Sequence, residues 1–278
     1  MSNVRQPAVA GMFYYHDPKN LKAQLKDLFS GAKARPGHIG VVSPHAGYQY
    51  SGRTAAWAVS SLKPAKTFVI LGPNHQGFGA QFSVMCSGAW KTPLGEVSIN
   101  QKAARRLMES CKFLKDDGSA HSQEHSVEVQ LPLLQHRFGS NAFDFVPVSI
   151  MNVDYSAEFL QKCERLGAAI AGLVKSGAGA SGTGAIASSD FSHYLPRDVA
   201  EQRDGAALKK ILALDTGGLF KALEGMDASV CGYGPIAVLM SAARKLGLRA
   251  ELINKSDSGD ATGDAGSVVA YYAIGFGK

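Results

Sequence analysis

The 278-residue sequence predicts an α/β protein: a three-layer α/β/α sandwich around a central, mostly parallel or mixed sheet. Two observations carry this prediction. Short apolar runs alternate with longer segments of helical periodicity along the whole chain. No composition break or internal repeat marks a linker, so residues 1–278 are read as a single domain. The second observation is a repeated ending. Ile39 to Val42 runs into Ser43-Pro44-His45, Phe68 to Leu71 into Gly72-Pro73-Asn74-His75, and Ala185 to Ala187 into Ser188-Ser189-Asp190-Phe191-Ser192-His193. In a parallel sheet the three turns share the carboxyl edge, where open α/β sheets bind ligands. One such His alone reads as an ordinary loop residue; three together point to a site.

The elements follow in order. Asp17 or Pro18 starts a helix through Phe29, with Leu21, Leu25 and Leu28 on one face. Ser30 to His38 is a loop. The strand Ile39 to Val42 then feeds a helix, Ser51 to Leu62, across a turn that Pro44 stiffens. Thr67 to Leu71 and Gln81 to Cys86 read as strands. Trp90 to Asn100 reads as a hairpin about Thr92-Pro93-Leu94-Gly95. Helices are expected over Gln101 to Ser110, Glu124 to Phe138 and Ala157 to Lys175, with a strand from Phe143 to Ile150 that Pro147 interrupts. Ser176 to Gly184 is a flexible connector that lacks the Gly-Lys-Ser/Thr ending of a phosphate loop. Helices over Arg197 to Leu214, Gly218 to Gly225 and Gly234 to Leu246 lead to strands Arg249 to Lys255 and Val268 to Phe276. The polar stretch Ser256 to Gly266 between those strands reads as a lid.

Hydrophobic residues make up 45% and charged residues 19%, which is a globular balance. The formal charge of +6 is spread over isolated Lys and Arg. No basic block with interleaved aromatics suggests nucleic acid as a partner. The polar start, Met1 to Arg5, lacks a signal core, and no apolar run reaches the ~20 residues of a membrane span. Four scattered Cys without a Cys-x-x-Cys pair read as reduced thiols, so a cytoplasmic protein is expected.

Cys231 stands apart from Cys86, Cys111 and Cys163. It lies in Ser229-Val230-Cys231-Gly232-Tyr233-Gly234-Pro235, just before a helix start that Pro235 suits. That placement or a metal favours the thiolate, whereas a buried Cys elsewhere is a small hydrophobe. Imidazoles and a thiolate together suit Fe, Cu or Zn. Asp190 is placed to orient a His or to ligate weakly. A rival pattern is His121-Ser122-Gln123-Glu124-His125, the inverted zinc-peptidase spacing, which needs a helix bearing both His. His125 and Glu128 also have the spacing to face the site from their own segment. His16, His38 and His136 read as surface residues.

These residues resemble those of the Memo family. Arg5 to Tyr14, Pro44-His45-Ala46-Gly47-Tyr48, Gly72-Pro73-Asn74-His75, Trp90 to Gly95, Glu124-His125-Ser126-Val127-Glu128, Ser189 to Tyr194 and Cys231-Gly232 occur in that family's order. The resemblance implies a fold similar to class III extradiol dioxygenases, non-haem iron enzymes with two His and a Glu on Fe(II). Placed on this sequence, His45 and His75 match the metal His, Cys231 takes the Glu position, and His193 matches the acid/base, with Asp190 orienting it. Tyr48, Trp90, His125 and Glu128 would then shape the substrate pocket. The implied function is an Fe(II)-dependent, dioxygenase-like oxidoreductase acting on an aromatic or otherwise bidentate substrate, with Cu or Zn as alternatives to iron. Cys in place of Glu sets it apart from standard ring cleavage. A metal- or peptide-binding redox or signalling module without turnover is the second reading, and a zinc hydrolase built on His121, Glu124 and His125 the third. Microbial members of the family travel with a radical-SAM protein and an AMMECR-type protein, as component B of the AmmeMemoRadiSam system.

Overall fold

Four parallel strands form the middle of the molecule in a computed structural model that describes residues 4–33, 36–176, 182–226 and 229–278. They are β2 (His38–Ser43), β9 (Thr183–Ser188), β3 (Thr67–Pro73) and β8 (Asp144–Ile150), side by side in that spatial order. The small strand β1 (Val4–Arg5) lies outside this sheet and pairs with a hairpin of β5 (Ala89–Thr92) and β6 (Gly95–Ser98). Antiparallel neighbours flank the four: β4 (Phe82–Val84) on β8, and β12 (Val268–Gly277) on β2. Beyond these lie β7 (Lys115–Asp116), parallel to β4, and β10 (His193–Leu195) and β11 (Arg249–Asp257), both antiparallel to β12. The result is a mixed nine-stranded sheet.

The central strands are buried on both faces, as parallel strands under crossover helices must be. In β3, Phe68 and Ile70 point into one core and Val69 and Leu71 into the other. The first core is closed by α1 (Pro18–Ser30), α2 (Tyr48–Ser61) and α4 (Gln130–Phe138). The second is closed by α3 (Gln101–Ser110), α5 (Ala157–Lys175), α6 (Arg197–Leu212), α7 (Thr216–Met226) and α8 (Tyr233–Leu246). Helix starts follow the capping chemistry of the sequence. Asp17 accepts the Asn20 N–H at 2.8 Å ahead of α1, and Ser156 caps α5 through the Phe159 N–H. Gly167 of α5 lets α8 approach so closely that a Cβ there would strike the Val238 carbonyl.

Several expectations change. The helix expected from Glu124 begins only at Gln130; a 3-10 turn (Gly118–His121) and a run of tight turns precede it. Pro147 does not interrupt β8 but pairs in register with Ile70. Its missing N–H is tolerated because β4 has ended opposite Val148. His38 is a buried strand residue whose Nε2 lies 2.8 Å from Glu251. The Ser256 to Gly266 stretch is partly strand and partly the short helix α9 (Gly259–Thr262), pinned by Arg197 to Asp257 and Asp260 at 2.6 and 2.9 Å. It is therefore an anchored wall and not a free lid. Of the connector expected over Ser176 to Gly184, residues 177–181 lie outside the described residues, as do 34–35 of the Ser30 to His38 loop and 1–3 of the polar start. Among the described residues no helix is long and apolar enough to cross a membrane.

Candidate metal centre

Because β2, β3 and β9 run parallel, the turns after Ser43, Pro73 and Ser188 meet at one edge. His45 leaves the first turn and is 2% exposed. His75 leaves the second, and their ring centroids stand 5.2 Å apart, edge to face. A third ring comes from the turns before α4: His125 stacks on His75 at 4.7 Å and stands 5.4 Å from His45. One ring nitrogen from each of the three lies within 4.8 Å of the others, the spacing and composition of a group that could hold a metal ion. Among the described residues this is the one such group of three or more His, Cys, Asp or Glu.

Hydrogen bonds behind the rings aim them. The Glu124 carboxylate accepts the His75 Nδ1–H at 3.0 Å, and also the backbone N–H groups of His75, His125 and Ser126. Donating Nδ1–H to a carboxylate leaves the His75 Nε2 lone pair free, the second-shell arrangement common behind metal-bound His. Burial alone would raise the Glu124 carboxyl, but the His75 hydrogen bond and the neighbouring imidazoles hold it down at about 2. Burial lowers His45 well below its ordinary range, with the charges of His75, His125 and His193 adding to the effect. Burial likewise lowers His125 to about 4. These neutral rings present lone pairs to a cation.

Cys231 Sγ lies 3.3 Å from His45 Nε2 and accepts the Asp190 backbone N–H at 3.2 Å. Burial, then the Asp190 charge, pushes its thiol up, so in the metal-free protein it is an S–H. Cys231 reaches His45, while His125, expected on the substrate side, stands level with the two expected ligands. Asp190 is placed otherwise than expected. Its Oδ1 accepts the His45 N–H at 2.8 Å and so fixes the His45 turn, and burial raises its carboxyl to about 6. His193 is oriented instead by Ser229, whose carbonyl accepts the His193 Nδ1–H at 2.8 Å.

The rings open on a cleft of about 450 Å³ that Phe13, Tyr50, His193, Tyr194 and Tyr271 also line, with Ser258 and Thr262 closing one side. Tyr48, Trp90 and Glu128 are not in its wall. Trp90 is fully buried beneath the Arg5 guanidinium, 4.1 Å from its ring centre. Tyr48 is buried and donates its hydroxyl to the Val129 carbonyl. Glu128 is spent on Arg5 at 2.6 Å, on the Ala8 and Val9 N–H groups and on the Tyr14 hydroxyl. These three side chains support the site from behind. The zinc-peptidase pattern does not assemble either. His121 is fully buried against Trp90 with neither ring nitrogen hydrogen-bonded, and Glu124 faces His75.

An α/β/α sandwich with a cluster of imidazoles at the carboxyl edge of its sheet is the class that fold and site define. The sequence matches the Memo-like protein family over residues 5–275, and the chain belongs to the Memo family. It is 44% identical over 274 residues to a MEMO1 family protein of Methanosarcina barkeri, covering 98% of this chain and 99% of that one. It is 40% identical over 287 residues to a MEMO1 family protein of Methanopyrus kandleri, covering 98% of each. Among solved structures, an uncharacterized protein from Escherichia coli K12 shares the fold at a TM-score of 0.54 and 13% identity, over 84% of this chain and 98% of that one.

Proposed function

We propose that this Memo-family protein is a non-haem, Fe(II)-dependent oxidoreductase of dioxygenase-like type. The observation that carries the reading is the convergence of His45, His75 and His125 at the floor of an aromatic cleft, with Cys231 beside His45. His45 and His75 would hold the ion, with Cys231 or His125 as the third donor. Such a set leaves positions open, and bound iron would supply Lewis-acid and redox chemistry there. Cu or Zn would fit the same donors.

This chain's own residues do the rest. Phe13, Tyr50, Tyr194 and Tyr271 line the cleft and would offer ring faces and edges to an aromatic substrate with paired oxygens. His193 gives its Nδ1–H to Ser229, so its Nε2 carries a lone pair and is free to take a proton. Asp190 holds the His45 turn in place. The radical-SAM and AMMECR-type partners implied by the resemblance belong to the same proposal, as does a place in the cytoplasm. A binding module without turnover is the second reading. It is favoured by the exposed rim of the cleft, where Met12 is 69% and Tyr194 77% exposed, a surface that suits a peptide.

Metal content after anaerobic purification tests the proposal, on wild type and on a His45→Ala, His75→Ala double variant. Stoichiometric iron in wild type, lost in the variant, with an electron paramagnetic resonance signal on adding nitric oxide, is the expected result. Iron retained by the variant would overturn the assignment. Iron bound with no turnover of any catechol-type compound would favour the binding module.

A further inference from the structure

We infer that Ser188, with Ser126 and Gln130, is a positioning residue that locks the His45 ring in its Nδ1–H tautomer and so keeps Nε2 bare toward the cleft. A proton count around one hydroxyl leads to this assignment. Ser188, the last residue of β9, is fully buried. Its Oγ has three neighbours: the Ser126 carbonyl at 2.6 Å, Gln130 Nε2 at 2.9 Å and His45 Nδ1 at 3.0 Å.

A carbonyl oxygen only accepts, so the single Ser188 hydrogen goes to Ser126. The Gln130 amide is fixed as well. Its Nε2 also lies 2.9 Å from the Pro44 carbonyl, which only a donor can meet. One Gln130 hydrogen therefore goes to Pro44 and the other to Ser188. Ser188 has then used its only hydrogen and one lone pair. His45 Nδ1 can fill the remaining place only by donating. Were Nδ1 bare, two lone pairs would face each other at hydrogen-bond distance in a buried place.

With Nδ1 protonated and the ring neutral, the Nε2 lone pair points toward Cys231 and the cleft. The four groups come from the turn after β2, the end of β9, the turn before α4 and the first residue of α4, so the folded edge itself selects the tautomer. Glu124 does the same for His75 through a charged acceptor. At His45 the acceptor is a neutral hydroxyl, and the charge on this side of the centre comes from Asp190, whose Oδ2 lies 4.0 Å from His45 Nε2. The tautomer assignment stands on the hydrogen bonds alone; its consequence for metal uptake rests on the function proposed above.

Long-range proton–nitrogen correlation spectra of the ¹⁵N-histidine-labelled, metal-free protein read the tautomer, with His45→Ala giving the assignment. A pyrrole-type Nδ1 and a pyridine-type Nε2 are expected for His45. Ser188→Ala removes the acceptor, so the ring should shift toward Nε2–H, and the dissociation constant for Co(II) should rise about 10–100-fold, the usual effect of losing an outer-shell partner. Ser188→Thr, which restores the hydroxyl, should return both readouts. A protonated Nε2 in wild type overturns the inference. So does a Ser188→Ala protein that folds, keeps Nδ1–H and binds Co(II) unchanged. Should Ser188→Ala fail to fold, the wild-type spectrum decides. An Nδ1–H ring in a wild type that takes up no metal upholds the inference and overturns the proposed function instead.

Discussion

Four hydrogen-bond donors converge on the Glu124 carboxylate: the His75 ring, and the backbone N–H groups of His75, His125 and Ser126. Solvent cannot stand in for the carboxylate, since the side chain is 1% exposed. A neutral amide of the same shape would turn an NH₂ toward at least one of these donors. Glu124→Gln should therefore weaken Co(II) or Fe(II) binding about 10–100-fold, because His75 and His125 lose their common anchor. The variant should also unfold at lower denaturant, by about 1–3 kcal/mol for the buried donors left unmet. Titration of the metal into the folded variant checks it. In a zinc hydrolase with Glu124 as general base, the same change would abolish turnover and leave metal affinity intact. Unchanged affinity would therefore count against Glu124 as the anchor of the two rings.

At the scale of elements, the first residues of the chain hold the site together. Arg5 donates to the carbonyls of His121 and Glu124 at 2.6 and 2.7 Å and pairs with Glu128 at 2.6 Å. It thus straps the turns between Gly118 and Val129, which carry Glu124 and His125, under the N-terminal segment. The same segment ends in Phe13, whose ring lies 4.7 Å from His125. Arg5→Met leaves the Glu128 carboxylate buried without its cation, so a loss of about 3–5 kcal/mol in unfolding free energy is expected. The Arg5→Met, Glu128→Gln double variant should recover part of it, and a double-mutant cycle by urea denaturation measures the coupling. Strictly additive losses would show that the pair does not act as a unit.

This strap also explains what was and was not legible in the sequence. The α3 and α5 boundaries coincide with those read from periodicity, because their signals are local: an Asn100 or Ser156 cap and an apolar face at helical spacing. His45 and His75 were legible because each follows directly on a strand. His125 was not legible as a member of the cluster, because its place depends on an ion pair spanning 123 residues. Trp90 and Tyr48 were misplaced for the opposite reason. Their motifs sit beside the site in sequence, yet alternation along β5 and the first turn of α2 turn both side chains into the core.

For the molecule as a whole, the helical layer is tied to the carboxyl edge by a buried carboxyl group on α6. Asp204 is fully buried, and its oxygens accept the Ser192 N–H and hydroxyl at 3.1 and 2.7 Å. Ser192 precedes His193, so this contact links α6 to the segment that enters the cleft; burial, and then the Asp204 charge, raises the Tyr272 phenol of β12. Burial raises the Asp204 carboxyl to about 6, and the two Ser192 bonds only partly oppose it. The consequence for stability has a definite sign. Between the unfolded value near 4 and the folded value near 6, the folded state keeps a proton that the unfolded chain has released. Stability must then fall as pH rises through that window and level off above it. Two units at 1.36 kcal/mol each give a contribution on the order of 3 kcal/mol. Asp204→Asn keeps an acceptor for Ser192 and cannot ionise. The unfolding free energy of wild type minus that of Asp204→Asn should therefore decrease by about that amount from about pH 4 to about pH 6.5. Taking the difference removes Glu124, whose depressed carboxyl acts with the opposite sign in more acid solution, and Asp190, whose raised carboxyl acts with the same sign. A difference that stays flat would mean that the Ser192 bonds hold Asp204 ionised despite its burial. The α6 contact would then be a charged anchor above about pH 4, and not one that weakens as the solution turns neutral.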